Sequence, residues 1–165
     1  MSLDLVISGA SVVDGSGAPG FAADVGVRDG RIVEVRRKCR EGAGAPAITL
    51  SATRTIDGTG LVLAPGFIDV HTHSDLAPFT DTTMDSALRQ GVTTVVVGNC
   101  GMSAWPRAGL PAMASLLGTT PEGLPPWDEF GDYLDAIDAA RPACNVAALV
   151  GFGSLRLHTM GHERR

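Results

Sequence analysis

Along the first third of the chain apolar and polar residues alternate, and along the remainder they gather into blocks. Leu3-Asp4-Leu5-Val6-Ile7-Ser8 predicts a strand with a turn at Gly9, and Val12-Val13 leads into the turn residues Asp14-Gly15-Ser16-Gly17. Asp24 to Arg28, then Asp29-Gly30, then Arg31 to Val35 spell strand, turn, strand. An Asp-Gly pair between two such runs is a strong hairpin signal, because both turn positions need positive φ. Val25 and Val27 against Ile32, Val33 and Val35 predict a sheet with one packed and one wet face. Residues 39–49, rich in Gly, Ala and Pro, read as an exposed loop, and Thr55 to Leu63 as a further turn and strand. The expectation for residues 1–64 is a small antiparallel β unit.

At Pro65-Gly66 the texture changes. Phe67-Ile68-Asp69-Val70 reads as a short apolar strand, with Ile68 and Val70 turned toward covering helices. Asp81 to Gln90 predicts a helix capped by Asp81 or Thr82 and closed by Gly91. Val92 to Val97 is almost continuously β-branched, the texture of a strand buried on both faces. A weak helix over Ala112 to Leu117 and a better one over Trp127 to Ala140 follow. The second would bury Trp127, Phe130, Leu134 and Ile137 and wet Asp128, Glu129, Asp132, Asp135 and Asp138. Asn145 to Gly151 reads as a third buried strand. Strand–helix–strand order with such runs predicts an α/β architecture of βαβ units over residues 65–165.

The chain has 165 residues, 13 Lys+Arg and 18 Asp+Glu, for a net charge of −5. Its longest basic run is Arg36-Arg37-Lys38, which argues against a nucleic-acid or anionic-membrane surface. Apolar residues make up 44% of the chain, too many for bulk disorder, and no run is long enough to span a bilayer. The N-terminus enters a strand pattern with no signal-peptide texture, so a cytoplasmic, reducing setting is expected. There the three cysteines, Cys39, Cys100 and Cys144, would be core residues, metal ligands or nucleophiles.

His71-Thr72-His73 follows the Phe67 strand. Alternation puts both imidazoles, and Asp69, on one face, with the two histidine Cα atoms roughly 6–7 Å apart. Two rings so placed can converge on one divalent ion; a bare pair more often reads as two inert, hydrogen-bonded loop histidines, but its place after a buried strand and before Ser74-Asp75 raises the metal reading. Cys100, in Gly98-Asn99-Cys100-Gly101, follows the second buried strand. Neighbouring parallel strands would bring it near His71 and His73, where a thiolate could join them; alone, it fits a small buried hydrophobe. Cys144 and Cys39 stand at the wrong ends of their elements and read as structural. His158 and His162 are spaced i, i+4, with Gly161 between them weakening any helix.

Pro65-Gly66-Phe67-Ile68-Asp69-Val70-His71-Thr72-His73-Ser74-Asp75 resembles the signature of the amidohydrolase superfamily. Gly91 to Ser103, containing Asn99-Cys100-Gly101, is similar to the second motif of its N-acyl-D-amino-acid deacylase (D-aminoacylase) branch. Trp127 to Leu134, Asn145 to Arg156, Met160-Gly161 and the opening Asp4 to Gly17 also resemble that branch. The resemblance implies the N-terminal part of a metal-dependent hydrolase (β/α)8 barrel, about three βα units, preceded by a β-sandwich-like unit. It implies a zinc cofactor held by His71, His73 and Cys100, and a small-molecule substrate, an N-acyl-D-amino acid. It further implies a general-base aspartate beyond Arg165, because a barrel takes about 250 residues. On that expectation the chain is a fragment without activity of its own. The alternatives are a non-catalytic remnant, or an amidohydrolase of dihydroorotase or hydantoinase type. One position departs from the pattern: Gly151-Phe152-Gly153 stands where many members read Gly-His-Gly.

Overall fold

A computed structural model describes residues 2–38, 50–117 and 122–163. The loop expected over 39–49, with Cys39, lies outside them. The chain divides into two compact units, Met1–Pro65 and Gly66–Arg165.

The first unit is a five-stranded sheet of β1 (Leu3–Val12), β2 (Phe21–Arg28), β3 (Arg31–Arg37), β4 (Ala52–Asp57) and β5 (Val62–Leu63). Its order is β3-β2-β1-β4, with β5 also paired to β1. The β2–β3 hairpin turns on Asp29 and Gly30, whose φ values of 50° and 69° suit the Asp-Gly pair. The sheet is not wholly antiparallel: β1 pairs in parallel with both β4 and β5. Alternation carries face but no direction, so a strand returning after a long connection can run either way. Gly9 does not end β1 either. It sits at a register shift between Ile7 and Ala10, and its amide donates to Asp24 Oδ1 at 2.7 Å. Val12, Ala23 and Val25 are buried, whereas Ile32, Val33 and Val35 of β3 are exposed.

The second unit runs β6 (Phe67–Asp69), α1 (Ala77–Thr80), α2 (Asp85–Leu88), β7 (Val92–Val97), a 3-10 turn (Arg107–Gly109), α3 (Leu110–Leu117), α4 (Phe130–Ala140), β8 (Asn145–Ala148) and α5 (Phe152–Met160). Its three strands form one sheet, β6-β7-β8, parallel throughout. The helix expected over 81–90 is instead the single turn of α2. Asp81 Oδ1 accepts from the Thr83 amide and hydroxyl, and Met84 takes φ 45°, so the local turn outcompetes helix initiation there. Glu129 caps α4, its side chain and that of Asp132 closing a reciprocal capping box.

Trp127, Leu76, Leu110, Tyr133 and Ile137 form the main core, with Phe79 stacked on Trp127 at a 5.3 Å centroid distance. Tyr133 is the buried α4 residue where the pattern proposed Leu134, which is exposed. The Trp127 indole donates to the Ala104 carbonyl at 3.1 Å and the Tyr133 hydroxyl to the Asp75 carbonyl at 3.0 Å. A second cluster joins Met84, Val95, Val97 and Cys144. β7 is buried only at Val95 and Val97, and Ile68 and Val70, expected beneath helices, are 61% and 68% exposed. With the chain after β6 broken into single turns, α2 packs on β7 instead. No helix among the described residues is long and apolar enough to cross a membrane.

Candidate metal centre

The parallel pairing of β6 with β7 aligns Asp69 with Val95, and the Thr72 amide extends it by donating to the Val96 carbonyl at 3.2 Å. His71-Thr72-His73 therefore lies beside the carboxyl end of β7, where the chain turns through Gly98-Asn99-Cys100-Gly101. Gly98 takes φ +83°, and a Cβ there would stand 2.1 Å from the Leu149 carbonyl oxygen, so no side chain fits. Cys100 follows in the left-handed region, φ 54°, which a non-glycine residue rarely occupies. This turn carries its thiol back toward the histidines.

His71 Nε2 lies 3.1 Å from Cys100 Sγ. The His71 and His73 rings are 5.9 Å apart between centroids and inclined at 71°. One ligand atom from each of His71, His73 and Cys100 falls within 4.8 Å of the others, the one such donor set among the described residues. Donors sharing a tetrahedral zinc would lie roughly 3.5 Å apart, from metal–nitrogen and metal–sulfur distances of about 2.1 and 2.3 Å. Modest side-chain rotation closes that gap, so the set fits a zinc-sized ion. Its chemistry fits too: two imidazoles and a thiol are the borderline-to-soft donors that zinc selects. His71 and Cys100 are exposed and His73 is half-buried, leaving one side of the set open.

Other sequence candidates lie elsewhere. Asp69 Oδ1 accepts from the His71 amide at 3.1 Å and so shapes the turn without joining the donor set. Cys144 is buried, its thiol facing the Val92 carbonyl at 3.4 Å, and burial pushes its pKa up. His158 lies exposed in α5, and His162 falls beyond Gly161, where that helix ends. Phe152 opens α5 with 77% of its surface exposed.

Three features around the donors have no role in the sequence reading. Asp75 is fully buried, and neither carboxylate oxygen has a hydrogen-bond partner; the same holds for buried His73 Nδ1. Burial pushes the Asp75 carboxyl up to about 6, opposed more weakly by the nearby amides of Asp75, Ala104 and Gly98 and by the His73 ring. Those amides face it outside hydrogen-bonding geometry. Ser103 and Ser154, both buried, bind the Cys100 turn to α5. The Ser154 hydroxyl accepts from the Ser103 amide at 2.9 Å and donates to its carbonyl at 3.1 Å. The Ser103 hydroxyl accepts from the Gly151 amide at 2.9 Å and donates to the Trp105 carbonyl. Finally, the Asn99 side chain reaches back to the histidine segment. The available signal was composition: small polar residues crowded between glycines just after a strand.

With this geometry in place, likeness to known proteins is informative. The profile of the amidohydrolase family matches residues 54–163. An N-acyl-D-glutamate deacylase of Alcaligenes xylosoxydans xylosoxydans is 43% identical over 162 residues, 96% of this chain and 30% of the relative. A D-aminoacylase of the same organism is 42% identical over 164 residues, 98% of this chain and 32% of the relative. Among solved structures, an N-acyl-D-glutamate deacylase from Bordetella bronchiseptica, complexed with zinc and a phosphonate mimic of the tetrahedral intermediate, matches with TM-score 0.78 and 42% identity. That match covers 97% of this chain and 32% of the other. A D-aminoacylase with a binuclear metal centre matches with TM-score 0.81 and 44% identity, over 99% and 32% of the two chains. The chain thus spans about a third of the length of these relatives.

Proposed function

Since the chain belongs to the amidohydrolase family, we propose that His71, His73 and Cys100 hold a zinc ion. We further propose that the whole protein hydrolyses N-acyl-D-amino acids to a carboxylate and a free D-amino acid. The observation that carries this reading is the convergence of three donors, two of them 29 positions apart, at the carboxyl end of a parallel sheet. The deacylases it resembles supply the reaction class.

Zinc bound there supplies Lewis acidity, polarising the scissile amide carbonyl and acidifying water. The chain's own residues prepare for that. His71 and His73 offer imidazole nitrogens from one segment, and Cys100 offers a sulfur from the other. Exposure of His71 and Cys100 keeps the side on which a small-molecule substrate approaches open. In this reading the general base is an aspartate of the whole protein outside these 165 residues, which span about a third of the deacylases they resemble.

The larger architecture follows the same reading. Residues 65–165 would be the first three βα units of a (β/α)8 barrel, supported by the parallel order β6-β7-β8 with helices between. Residues 1–64 would be half of a composite β-sandwich, supported by an open groove of about 570 Å³ lined by Ile7, Val25, Val27, Ile32 and Val35. A cytoplasmic setting suits the free thiols of Cys100 and Cys144 among the described residues.

The decisive test is elemental analysis of the purified chain beside His71→Ala and Cys100→Ser. Each substitution is expected to lower zinc content sharply. Unchanged zinc in both would overturn the assignment.

A further inference from the structure

We propose that Asn99 is a positioning residue that ties the His71-Thr72-His73 segment to the Cys100 turn and so sets the spacing of the three metal donors. This rests on the metal reading above. The Asn99 amide nitrogen donates to the Thr72 carbonyl at 3.3 Å and to the Val96 carbonyl at 2.8 Å, using both of its hydrogens. Thr72 stands between the two histidines, so fixing its carbonyl limits the swing of both imidazoles. The Asn99 backbone carbonyl accepts from the Met102 amide at 3.0 Å, closing the turn around Cys100. Cys100 itself occupies left-handed backbone, a conformation that persists only where its surroundings hold it. The backbone bond from Thr72 to Val96 is a ladder bond that any sequence could make. The Asn99 side chain, by contrast, acts on both donor-bearing segments at once, and neither hydroxyl nor aliphatic side chains could span the two carbonyls with paired donors.

Asn145 provides an internal comparison. Its amide donates to the Thr93 carbonyl at 3.1 Å and the Thr94 hydroxyl at 3.4 Å, a similar cross-strand link at the opposite end of β7. If side-chain amides served only to pin strands, both asparagines would matter alike to the metal.

The test uses the 165-residue chain and its Asn99→Ala, Asn99→Leu and Asn145→Ala variants, with zinc affinity measured by chelator competition and the cobalt(II) form by absorption. Asn99→Leu keeps the side-chain volume without the donors, so that misfolding of the alanine variant does not close the question. The expected result is a loss of about 10–100-fold in zinc affinity for the Asn99 variants, with a weakened thiolate-to-cobalt charge-transfer band. Asn145→Ala should retain both properties. Affinity and band unchanged in the Asn99 variants, or lowered equally in Asn145→Ala, would overturn the inference. A wild-type chain that binds no zinc would instead overturn the metal reading, and this inference with it.

Discussion

The Nε2 atom of His71 lies 3.1 Å from the sulfur of Cys100, a residue 29 positions further along the chain. Neither side chain is carried there by its own strand, because β6 ends at Asp69 and β7 at Val97. Both ride on the turns that follow, and the contact exists because the two strands run in parallel and end together. The same topology places Cys144 at the amino end of β8, away from the donors. Two free thiols of one chain therefore have different chemical fates.

That difference is measurable by alkylation. In a Cys39→Ser background, iodoacetamide should modify exposed Cys100 faster than buried Cys144 by about tenfold or more, since burial both blocks access and holds Cys144 as the neutral thiol. Added zinc should slow the reaction of Cys100 and leave that of Cys144 unchanged. Mass spectrometry of timed samples reads both rates, and equal rates would contradict the arrangement described.

Asp75 makes stability depend on pH in an unusual direction. Its carboxyl is pushed up to about 6 in the folded chain from an ordinary value of 3.8. Between those limits the folded state holds a proton that the unfolded state has released. The associated stabilisation is full below about pH 4 and is lost as pH rises through 6, up to roughly 3 kcal/mol in all. Chelator-treated Asp75→Asn should thus resist urea better than wild type at pH 7.5, by about 1–3 kcal/mol, with little gain at pH 4. Urea midpoints at the two pH values decide it; a variant less stable at pH 7.5 would show that the buried carboxylate is held favourably.

Removing the Ser154 hydroxyl leaves the Ser103 amide and carbonyl without that partner inside the protein. Ser154→Ala should cost about 1–3 kcal/mol in chemical denaturation, the penalty of stranded buried polar groups. A loss within experimental scatter would mean that water takes the hydroxyl's place.

Zinc binding and turnover should separate in these 165 residues. Loaded with zinc, the chain is expected to release no amino acid from N-acetyl-D-methionine, because these 165 residues span only about a third of the deacylases they resemble. Chiral chromatography of the incubation checks this. Sustained release abolished by Cys100→Ser would show that the chain is catalytic by itself.

The residue types of the candidate site are legible in the sequence. The His-x-His spacing marks a donor pair and the glycines around Cys100 mark a tight turn after an apolar strand, but both histidines ride the turn after β6 rather than the strand whose alternation the pattern assumes. The Asp29-Gly30 hairpin was equally readable, because positive φ is a local demand that only a few residue types meet. Where local preferences compete, the pattern misleads: the Asp81–Thr83 turn and the left-handed Met84 break a helix that composition favours.

The sequence alone therefore settled the elements whose causes lie within a few residues, namely the Asp29-Gly30 hairpin, the strand β7 and the helix α4. It could not settle the parallel pairing of β4 and β5 with β1, the burial of Asp75, or the reach of Asn99 to the Thr72 carbonyl. Those depend on which distant segments come to lie side by side. Strand direction leaves no mark on side-chain periodicity, and a polar residue reads alike whether water or a packed core awaits it. Only the folded chain supplies those neighbours.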